Sequence, residues 1–320
     1  EREVDLMLKY GATRVEVGVQ TLDDEVYRLV KRGHTVKDVA YAFRTAKDSG
    51  LKVVAHMMPG LPGSSPERDL ESFHSLFEDA DFKPDMLKIY PTLVVKSAEL
   101  YRWWLNRDYT PYDLETTVKL LADVKRSVPS WMRIMRIQRD IPARLIEAGV
   151  KKSNLRELVQ KEVHRRGYSC RCIRCREIGL KRPSRARPDE SNIEMKQERY
   201  DASDGEEIFL SFIDGGDDAL VGFVRIRNPS EHAHRREVNS SRCCLVRELH
   251  IYGPVVPIGL KDDNSWQHRG FGRRLMEGAE RISKEEFDAE KIIVMSAVGT
   301  RMYYRKLRYR LEGPYMVKDI

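Results

Sequence analysis

Apolar and amphipathic stretches alternate through the first 127 residues of the chain. The short apolar runs predict strands, and the longer stretches with one apolar face predict helices between them. Helices that separate strands in this way are typical of right-handed crossovers in a parallel sheet. The run from Trp131 to Asp140 alternates apolar and basic residues, which predicts a further strand with one cationic face. The strands are predicted at 14–19, 52–56 and 86–90, and the helices at 1–10, 24–31, 36–48 and 65–78.

The pattern changes after residue 140. A predicted helix at 154–165 leads into a cysteine-rich segment, and the stretch LKRPSRARPDESN that follows is typical of an exposed connection. Beyond it, four apolar segments predict strands, with one strongly amphipathic helix from Gly272 to Phe287 among them. We therefore predict an α/β protein in three parts, divided at residues 140 and 198.

Composition and charge limit the class of protein. The chain has 57 lysines and arginines against 50 aspartates and glutamates, a net charge of +7. No apolar run is long enough to span a bilayer, and no basic and then apolar leader begins at Glu1. We therefore expect a cytoplasmic protein that does not enter a membrane. The chain starts within a predicted helix and without methionine, so we expect residues before Glu1 to be missing from this sequence.

Basic residues are concentrated between residues 133 and 187, where acidic residues are fewer. A solvated helix face would interleave the two signs more evenly. A cationic cluster of this size is typical of a protein that binds a polyanion, and folded RNA is the ligand that it favours. The residues expected to contact RNA are Arg133, Arg136, Arg139, Lys151, Lys152, Arg165 and Arg166.

Three of the five cysteines lie close together in the spacing C-x-C-x2-C, at Cys170, Cys172 and Cys175. This clustering favours a metal over a disulfide framework, and three thiolates suit a tetrahedral zinc site. The fourth ligand could be His164 or a residue from elsewhere, and the alternative is a basic hairpin with free thiols. Cys243 and Cys244 are neighbours in a predicted strand and point to opposite faces, so they cannot share one metal.

The sequence QHRGFG, at residues 267–272, opens the helix that runs to Phe287. Glycines at 270 and 272 leave backbone N–H groups accessible at a helix N-terminus, where anions such as a pyrophosphate are favoured. With the strand predicted upstream from Leu245 to Tyr252, the segment resembles the acyl-CoA motif of the GNAT acetyltransferases. The resemblance implies that residues 199–320 form a GNAT α+β domain that binds acetyl-CoA.

The GNAT resemblance also implies roles for individual residues. A tyrosine near the start of the last helix would contact the leaving sulfur as a general acid; Tyr304 fits that place, and Tyr303 is the alternative. His250 would lie at the thioester and is a further candidate catalytic residue. Arg308 stands where the family usually has glycine, so a positive φ there would cost about 1 kcal/mol. The residues implied to contact acetyl-CoA are Leu249, Ile251, Gln267, His268, Arg269, Gly270, Phe271, Gly272 and Arg273.

Polar residues follow the predicted parallel strands of the first half. Gln20 ends one strand, Arg32 follows it in the sequence RGH, and His56 leads into MMPGLP at the end of the next. Ligands bind at the carboxyl ends of such strands. These segments resemble the later part of a radical S-adenosylmethionine (SAM) barrel, which implies that Gln20, Arg32 and His56 contact SAM. The resemblance also implies a [4Fe–4S] cluster, whose ligand cysteines we expect outside this chain.

A barrel of this kind joined to a GNAT domain is rare. The strings GVQTLDDEVYRLVKRGHT, RELHIYGPVVP and QHRGFGRRLMEGAERIS closely resemble the family of Elongator catalytic subunits, and the resemblance runs over nearly the whole chain. It divides the chain into the end of a radical SAM barrel in 1–140, a basic zinc-binding linker in 141–198 and a GNAT domain in 199–320.

The Elongator resemblance implies a tRNA carboxymethyluridine synthase. This acyltransferase would use acetyl-CoA and radical chemistry on SAM to modify C5 of wobble uridine 34, with tRNA stimulating hydrolysis of acetyl-CoA. Other Elongator subunits or a second copy of the chain are the implied protein partners. Two alternatives remain open at this stage: a lysine acetyltransferase with Glu248 or His250 as base, and a tRNA-binding scaffold without chemistry.

Overall fold

The computed structural model describes residues 1–181, 190–253 and 270–320. The chain forms two compact units that interleave along the sequence. We call them the parallel-sheet unit, Glu16–Ala40 and Val54–Cys172, and the seven-stranded unit, Glu1–Val15, Tyr41–Val53 and Ile173–Ile320. The division into three parts at residues 140 and 198 stays a prediction.

The helices follow the amphipathic stretches closely. The helix predicted at 36–48 has both predicted ends, and the helix predicted to run to residue 10 ends at Lys9 with Gly11 at φ +80°. No helix within the described ranges is both long and apolar enough to cross a membrane. The helices are α1 Arg2–Lys9, α2 Asp24–Leu29, α3 Val36–Asp48, α4 Pro66–Glu78, α5 Leu100–Leu105, α6 Leu114–Ser127, α7 Leu155–Arg165, α8 Ile173–Arg176, α9 Ile178–Lys181, α10 Arg236–Asn239, α11 Phe271–Phe287 and α12 Arg301–Lys306.

The strands form a four-stranded sheet, a seven-stranded sheet and a short two-stranded sheet. All the strands predicted from apolar runs are present, with ends shifted by a few residues at most. The strands are β1 Arg14–Gln20, β2 Lys52–Met57, β3 Met86–Ile89, β4 Val94–Val95, β5 Arg133–Ile137, β6 Ile146–Ala148, β7 Ile193–Ala202, β8 Gly205–Asp214, β9 Ala219–Asn228, β10 Cys243–Ile251, β11 Lys291–Val294, β12 Arg310–Glu312 and β13 Tyr315–Asp319.

The four-stranded sheet has the order β1-β2-β3-β5, with β2, β3 and β5 parallel. Residues paired across parallel strands point to the same face, so His56 of β2 shares a face with Lys88 of β3, and Lys88 with Arg136 of β5. The opposite face is apolar and buried; Leu87 and Ile89 are completely covered. The sheet therefore carries one polar face, on which His56, Lys88 and Arg136 lie.

The seven-stranded sheet has the order β12-β13-β11-β10-β9-β8-β7, and only β10 and β11 pair in parallel. Helix α11 packs on one face through an apolar stripe that includes Leu275, Ala279 and Ile282. Burying a side chain such as Leu275 stabilises the fold by about 1.5–3 kcal/mol. This packing fixes the start of α11, and hence the glycines of the predicted acyl-CoA motif, relative to β10.

A buried ionic cluster joins the end of α3 to the seven-stranded sheet. Arg227 donates to Asp48 at 2.7 Å and to Glu207 at 3.1 Å, and Arg247 donates to Glu207 at 2.8 Å. The hydroxyl of Ser230 donates a further hydrogen bond to Asp48 at 2.5 Å. Because each charge has an opposite partner, the cluster avoids the several kcal/mol that an unpaired buried charge would cost.

Candidate functional site

A carboxylate, an imidazole and an ammonium group meet on the polar face of the parallel sheet. Oε2 of Glu16 lies 2.8 Å from Nε2 of His56 and 2.5 Å from Nζ of Lys88. Burial opposes ionisation of Glu16, but the hydrogen bonds with Lys88 and His56 outweigh it and lower the pKa of this carboxyl. Burial lowers the pKa of His56, against the opposing effect of Glu16. The site therefore holds an ionised Glu16 and favours a neutral His56.

Gln20 and Arg32 come together over Gly18. Nη2 of Arg32 donates to the carbonyl of Gly18 at 2.8 Å, and a Cβ placed on Gly18 would lie 2.8 Å from Nε2 of Gln20. Gln20 itself adopts φ +69°, and its buried Oε1 has no hydrogen-bond partner among the described residues. The absence of a side chain at residue 18 thus creates a small polar cradle at the carboxyl end of β1.

The turn after β2 is fixed by a buried aspartate. Asp69 of α4 accepts hydrogen bonds from the N–H of Gly60 at 2.7 Å, from Ser64 at 2.7 Å and from the hydroxyl of Tyr112 at 2.8 Å. Burial raises the pKa of Asp69, although these three donors oppose the rise. Gly60 has φ +81°, with the ring of Tyr112 3.1 Å from the position of a Cβ, so this turn requires glycine.

An aromatic ring and a guanidinium group extend the polar face, and the sequence analysis did not identify the ring. Tyr90 follows β3, and its ring lies edge-on to His56 with the centroids 5.4 Å apart. The guanidinium carbon of Arg139 lies 5.4 Å from the centre of the same ring. The YP dipeptide at the end of a predicted strand was the only sequence signal for Tyr90.

In the seven-stranded unit, the pairing of β10 with β11 ends before the residues at which the GNAT resemblance puts the thioester. The two strands pair from Cys243 to Val246, and β10 then continues to Ile251 without a partner on β11. The register of β10 against β9 also shifts between Val246 and Glu248. Leu249, His250 and Ile251 therefore lie on the part of β10 that extends beyond its pairing with β11.

The start of α11 faces this part of β10. Gly270 caps the helix at φ +82°, and no atom of the described residues lies within 4 Å of the position of a Cβ. A Cβ on Gly272 would lie 3.0 Å from the hydroxyl of Tyr303 and 3.8 Å from Ile251. Phe271 packs into the core, and Arg273 is exposed and bonds Glu277 at 2.8 Å. Gln267, His268 and Arg269 lie outside the described residues.

The two candidate tyrosines of α12 have different environments. Tyr304 is 6% exposed and belongs to the core, with its ring 5.9 Å from that of Tyr309. Tyr303 is 38% exposed and reaches the start of α11. Burial raises the pKa of both hydroxyls, which keeps them protonated at neutral pH. Arg308 has φ +70°, so the turn after α12 does place this arginine in the left-handed region.

The three clustered cysteines converge. Their sulfur atoms all lie within 4.8 Å of one another, with Cys170 and Cys172 buried and Cys175 half-buried. Sulfurs on a tetrahedral zinc ion are about 3.8 Å apart, so small side-chain rotations would suffice to bind one. The structure does not bring His164 to them: it is exposed on α7 and is not part of the cluster.

The predicted RNA-binding residues fall into two groups. Arg165 and Arg166 both bind Glu162 at 2.7 Å, and Arg166 also binds Asp123 at 2.6 Å. These bonds lower the pKa of Glu162 to about 2. Arg136 similarly bonds Asp140 at 2.6 Å, and Arg133 is half-buried. Lys151 and Lys152 are exposed, and neither has an ion-pair partner within the described ranges.

Comparison with known protein families shows the class of protein to which the first half of the chain belongs. Residues 1–76 match the model of the Radical SAM superfamily, and residues 84–165 match that of the Radical_SAM C-terminal domain. The parallel sheet with polar groups at its carboxyl end agrees with this class.

Individual relatives narrow the assignment. The tRNA uridine(34) acetyltransferase of Methanocaldococcus jannaschii is 50% identical, covering 99% of this chain and 59% of the relative. Human Elongator complex protein 3 is 48% identical, and the match covers 99% of this chain and 58% of the human protein. The solved structure of Methanocaldococcus infernus Elp3 with an N-terminal deletion has a TM-score of 0.93 at 48% identity, covering 100% of this chain and 75% of that one. The chain belongs to the Elongator complex protein 3 family. It spans just under 60% of the length of the M. jannaschii and human relatives.

Proposed function

We propose that this chain acts in the modification of wobble uridine 34 of tRNA, as an acyltransferase that adds an acetyl-derived carboxymethyl group to C5 of the base. The observation that carries the proposal is the presence, in one chain, of a polar cradle at the end of a parallel sheet and of a glycine-capped helix beside a strand that extends beyond its parallel neighbour. The first suits SAM and the second suits acetyl-CoA. Two relatives, a tRNA uridine(34) acetyltransferase and an Elongator complex protein 3, carry names that agree with a role in tRNA modification.

The cradle over Gly18 fits the polar end of SAM. The buried amide oxygen of Gln20 needs a donor, and an α-ammonium group supplies one. Arg32 would face the carboxylate or ribose beside it, and His56 would contact the ligand in its neutral form. SAM bound to a [4Fe–4S] cluster supplies radical chemistry in this superfamily. In this proposal the chain's own residues bind and orient SAM and shape the space beside it.

The acyl-CoA site would work mainly through backbone groups. The N–H groups at Gly270 and Gly272 and the positive end of the 17-residue helix α11 would bind the pyrophosphate. Backbone N–H groups near Leu249 and Ile251 would polarise the thioester carbonyl. Tyr303 or Tyr304 would donate a proton to the leaving sulfur. Tyr303 is the better candidate because it already lies beside Gly272.

The basic segment, residues 133–187, and the cysteine cluster would contribute to binding tRNA. Lys151 and Lys152 are available to neutralise phosphates, whereas Arg165 and Arg166 are bound to carboxylates and would first have to exchange partners. Zinc held by the three cysteines would fix the backbone of the segment. If so, elemental analysis should give about one zinc per chain, and Cys172→Ser should lower both the stability and the tRNA affinity.

Lysine acetylation is less well supported. Glu248, next to Leu249 on β10, accepts a hydrogen bond from the buried Arg225 at 2.9 Å. This hydrogen bond occupies a carboxylate oxygen of Glu248 within the fold. His250 is the other candidate base for this reaction. Its ring packs against that of Tyr252, with the ring centroids 4.4 Å apart.

The decisive experiment uses the full-length protein, loaded with its cluster and incubated with tRNA, SAM, a reductant and labelled acetyl-CoA. Nucleoside analysis of the digested tRNA should show labelled carboxymethyluridine. The tRNA affinity should fall steeply with salt, and Lys151→Ala should flatten the salt dependence by about one unit of slope. Efficient acetylation of a lysine peptide, with no effect of tRNA, would contradict the proposal. Elongator subunits or a second copy as partners, and a cytoplasmic location, stay predictions.

A further inference from the structure

Gln138 has two unusual features that the proposed function does not use. It follows β5 with φ +81°, in the left-handed region, where a residue other than glycine is strained by about 1 kcal/mol or more. The Oε1 atom of its side chain is buried and has no hydrogen-bond partner in the described part of the chain. Gln20, at the SAM cradle, has the same two features. Backbone strain together with an unsatisfied buried acceptor is typical of a residue that contacts a ligand.

The orientation of the Gln138 amide follows from its neighbour. Nε2 lies 3.5 Å from the carbonyl oxygen of Val150, and exchanging N and O would put two acceptors face to face. The unsatisfied atom is therefore an acceptor, which requires an N–H or O–H donor. The backbone N–H of Gln138 donates to the carbonyl of Ile89 at 2.8 Å, which fixes the residue beside the end of β3.

The amide oxygens of Gln138 and Gln20 would accept hydrogen bonds from different donor groups. They follow β5 and β1, the two edges of the sheet β1-β2-β3-β5. Three strand spacings separate these edges, or about 14 Å. A single donor group held by Gln20, such as the α-ammonium of SAM, is therefore out of reach of Gln138. An extended SAM molecule is about as long as this separation, so the calorimetric measurement of SAM binding described below distinguishes SAM from a second molecule at Gln138. The surroundings of Gln138 favour a second molecule.

The surroundings of Gln138 indicate what that molecule is. The next residue, Arg139, is exposed and lies over the ring of Tyr90. A guanidinium plane of this kind is a surface on which an unpaired nucleobase can stack. A hydrogen-bond acceptor beside a stacking surface suits a base with a ring N–H. Uracil linked to ribose has one such group, N3–H, whereas N3 of cytosine is an acceptor and would repel the amide oxygen.

We propose that Gln138 selects the target base: its amide oxygen accepts the N3–H of uracil while the base lies against Arg139. This inference rests on the proposed tRNA function and adds the residue that distinguishes uridine from cytidine. It also accounts for the strain, because φ +81° is what holds the side chain of Gln138 at the carboxyl end of the sheet.

The test measures binding of anticodon stem-loop RNAs to the full-length protein by fluorescence anisotropy. The RNAs carry uridine, 3-methyluridine or cytidine at position 34, of which only the first has an N3–H. We expect the protein to bind the uridine RNA about tenfold more tightly than the other two. Gln138→Gly should remove this preference without unfolding the protein, since glycine adopts φ +81° without strain. Gln138→Glu keeps an acceptor and should retain the preference.

Gln20→Ala is the matched control. It should weaken SAM binding, measured by calorimetry, and leave the preference for uridine intact, whereas Gln138→Gly should do the reverse. A preference for uridine that survives Gln138→Gly would overturn the inference, as would a loss of SAM binding in that variant. Salt-dependent binding without any preference would refute the role of Gln138 and leave the tRNA function standing. If no stem-loop binds, both fail.

Discussion

The two candidate sites are built in different ways. In the parallel-sheet unit the site consists of side chains: Glu16, His56 and Lys88 bond one another, and the amide of Gln20 lies against Arg32 only because residue 18 has no side chain. In the seven-stranded unit the site consists of backbone, at a helix start and on a strand that extends beyond its parallel neighbour. A site of the first kind is sensitive to the chemistry of single side chains, and one of the second kind to any group that blocks the backbone.

The largest effect is expected at the backbone site. Gly272→Glu would place a carboxylate where the pyrophosphate must approach, and its Cβ would press on the hydroxyl of Tyr303 at 3.0 Å. Acetyl-CoA hydrolysis should fall by roughly 100-fold or more, because both sterics and charge oppose the anion. The fold should persist, since an acidic residue suits the first turn of a helix. Gly179→Glu is the control, because no atom in the described part of the chain lies within 4 Å of a Cβ at that glycine. Normal hydrolysis by Gly272→Glu would remove the acyl-CoA assignment.

A smaller loss is expected at the side-chain site. Gly18→Ala adds a Cβ 2.8 Å from Nε2 of Gln20 and 3.2 Å from Nη2 of Arg32, so both groups must move. SAM affinity should fall about tenfold, the effect of losing one hydrogen bond to a charged group. Acetyl-CoA hydrolysis, measured in the same preparation, should not change. A loss of both activities would mean that the two sites are not chemically separate.

Asp69→Asn tests how the side-chain site is supported. The carboxylate accepts three hydrogen bonds, and an amide would turn one of its two acceptors into a donor that faces other donors. Unfolding in urea should show a loss of about 1–3 kcal/mol. We expect SAM binding to weaken more than acetyl-CoA hydrolysis, because Gly60 lies in the turn after β2. Equal losses of the two functions would show that Asp69 supports the fold alone.

The smallest effect concerns protonation. Glu16 raises the pKa of His56 against the effect of burial, so Glu16→Gln should lower the pKa of His56 further, as an NMR titration would show. The pKa of Glu16 is lowered in the folded protein, so its ionised form stabilises the fold at pH values above its ordinary pKa of 4.5. That contribution disappears as the pH falls through the lowered value. The variant and the parent protein should therefore converge in stability in acid, and a constant difference would exclude this role for Glu16.

Regular hydrophobic patterns made much of the fold predictable. Helix α3 has both predicted ends because its apolar stripe is continuous, and β8 and β9 are buried along most of their length. Helix α6 and strand β7 were not predicted. The pattern of β7 is dominated by charged residues, since it lies at the sheet edge and pairs with β8 alone.

The sequence by itself determined the class of protein, and it predicted Gln20, Arg32 and His56 for one candidate site and Gly270 and Gly272 for the other, because polar residues and glycines at strand and helix ends are local signals. Only the tertiary structure decided what depends on the meeting of distant segments. Tyr303 and Tyr304 are equivalent in sequence, yet one helical step of about 100° turns Tyr304 into the core and Tyr303 toward Gly272. Likewise, no local pattern marks Gln138. Its strained backbone and unsatisfied amide arise only when β5 joins the edge of the sheet, because burial and hydrogen-bond satisfaction are properties of the packed molecule.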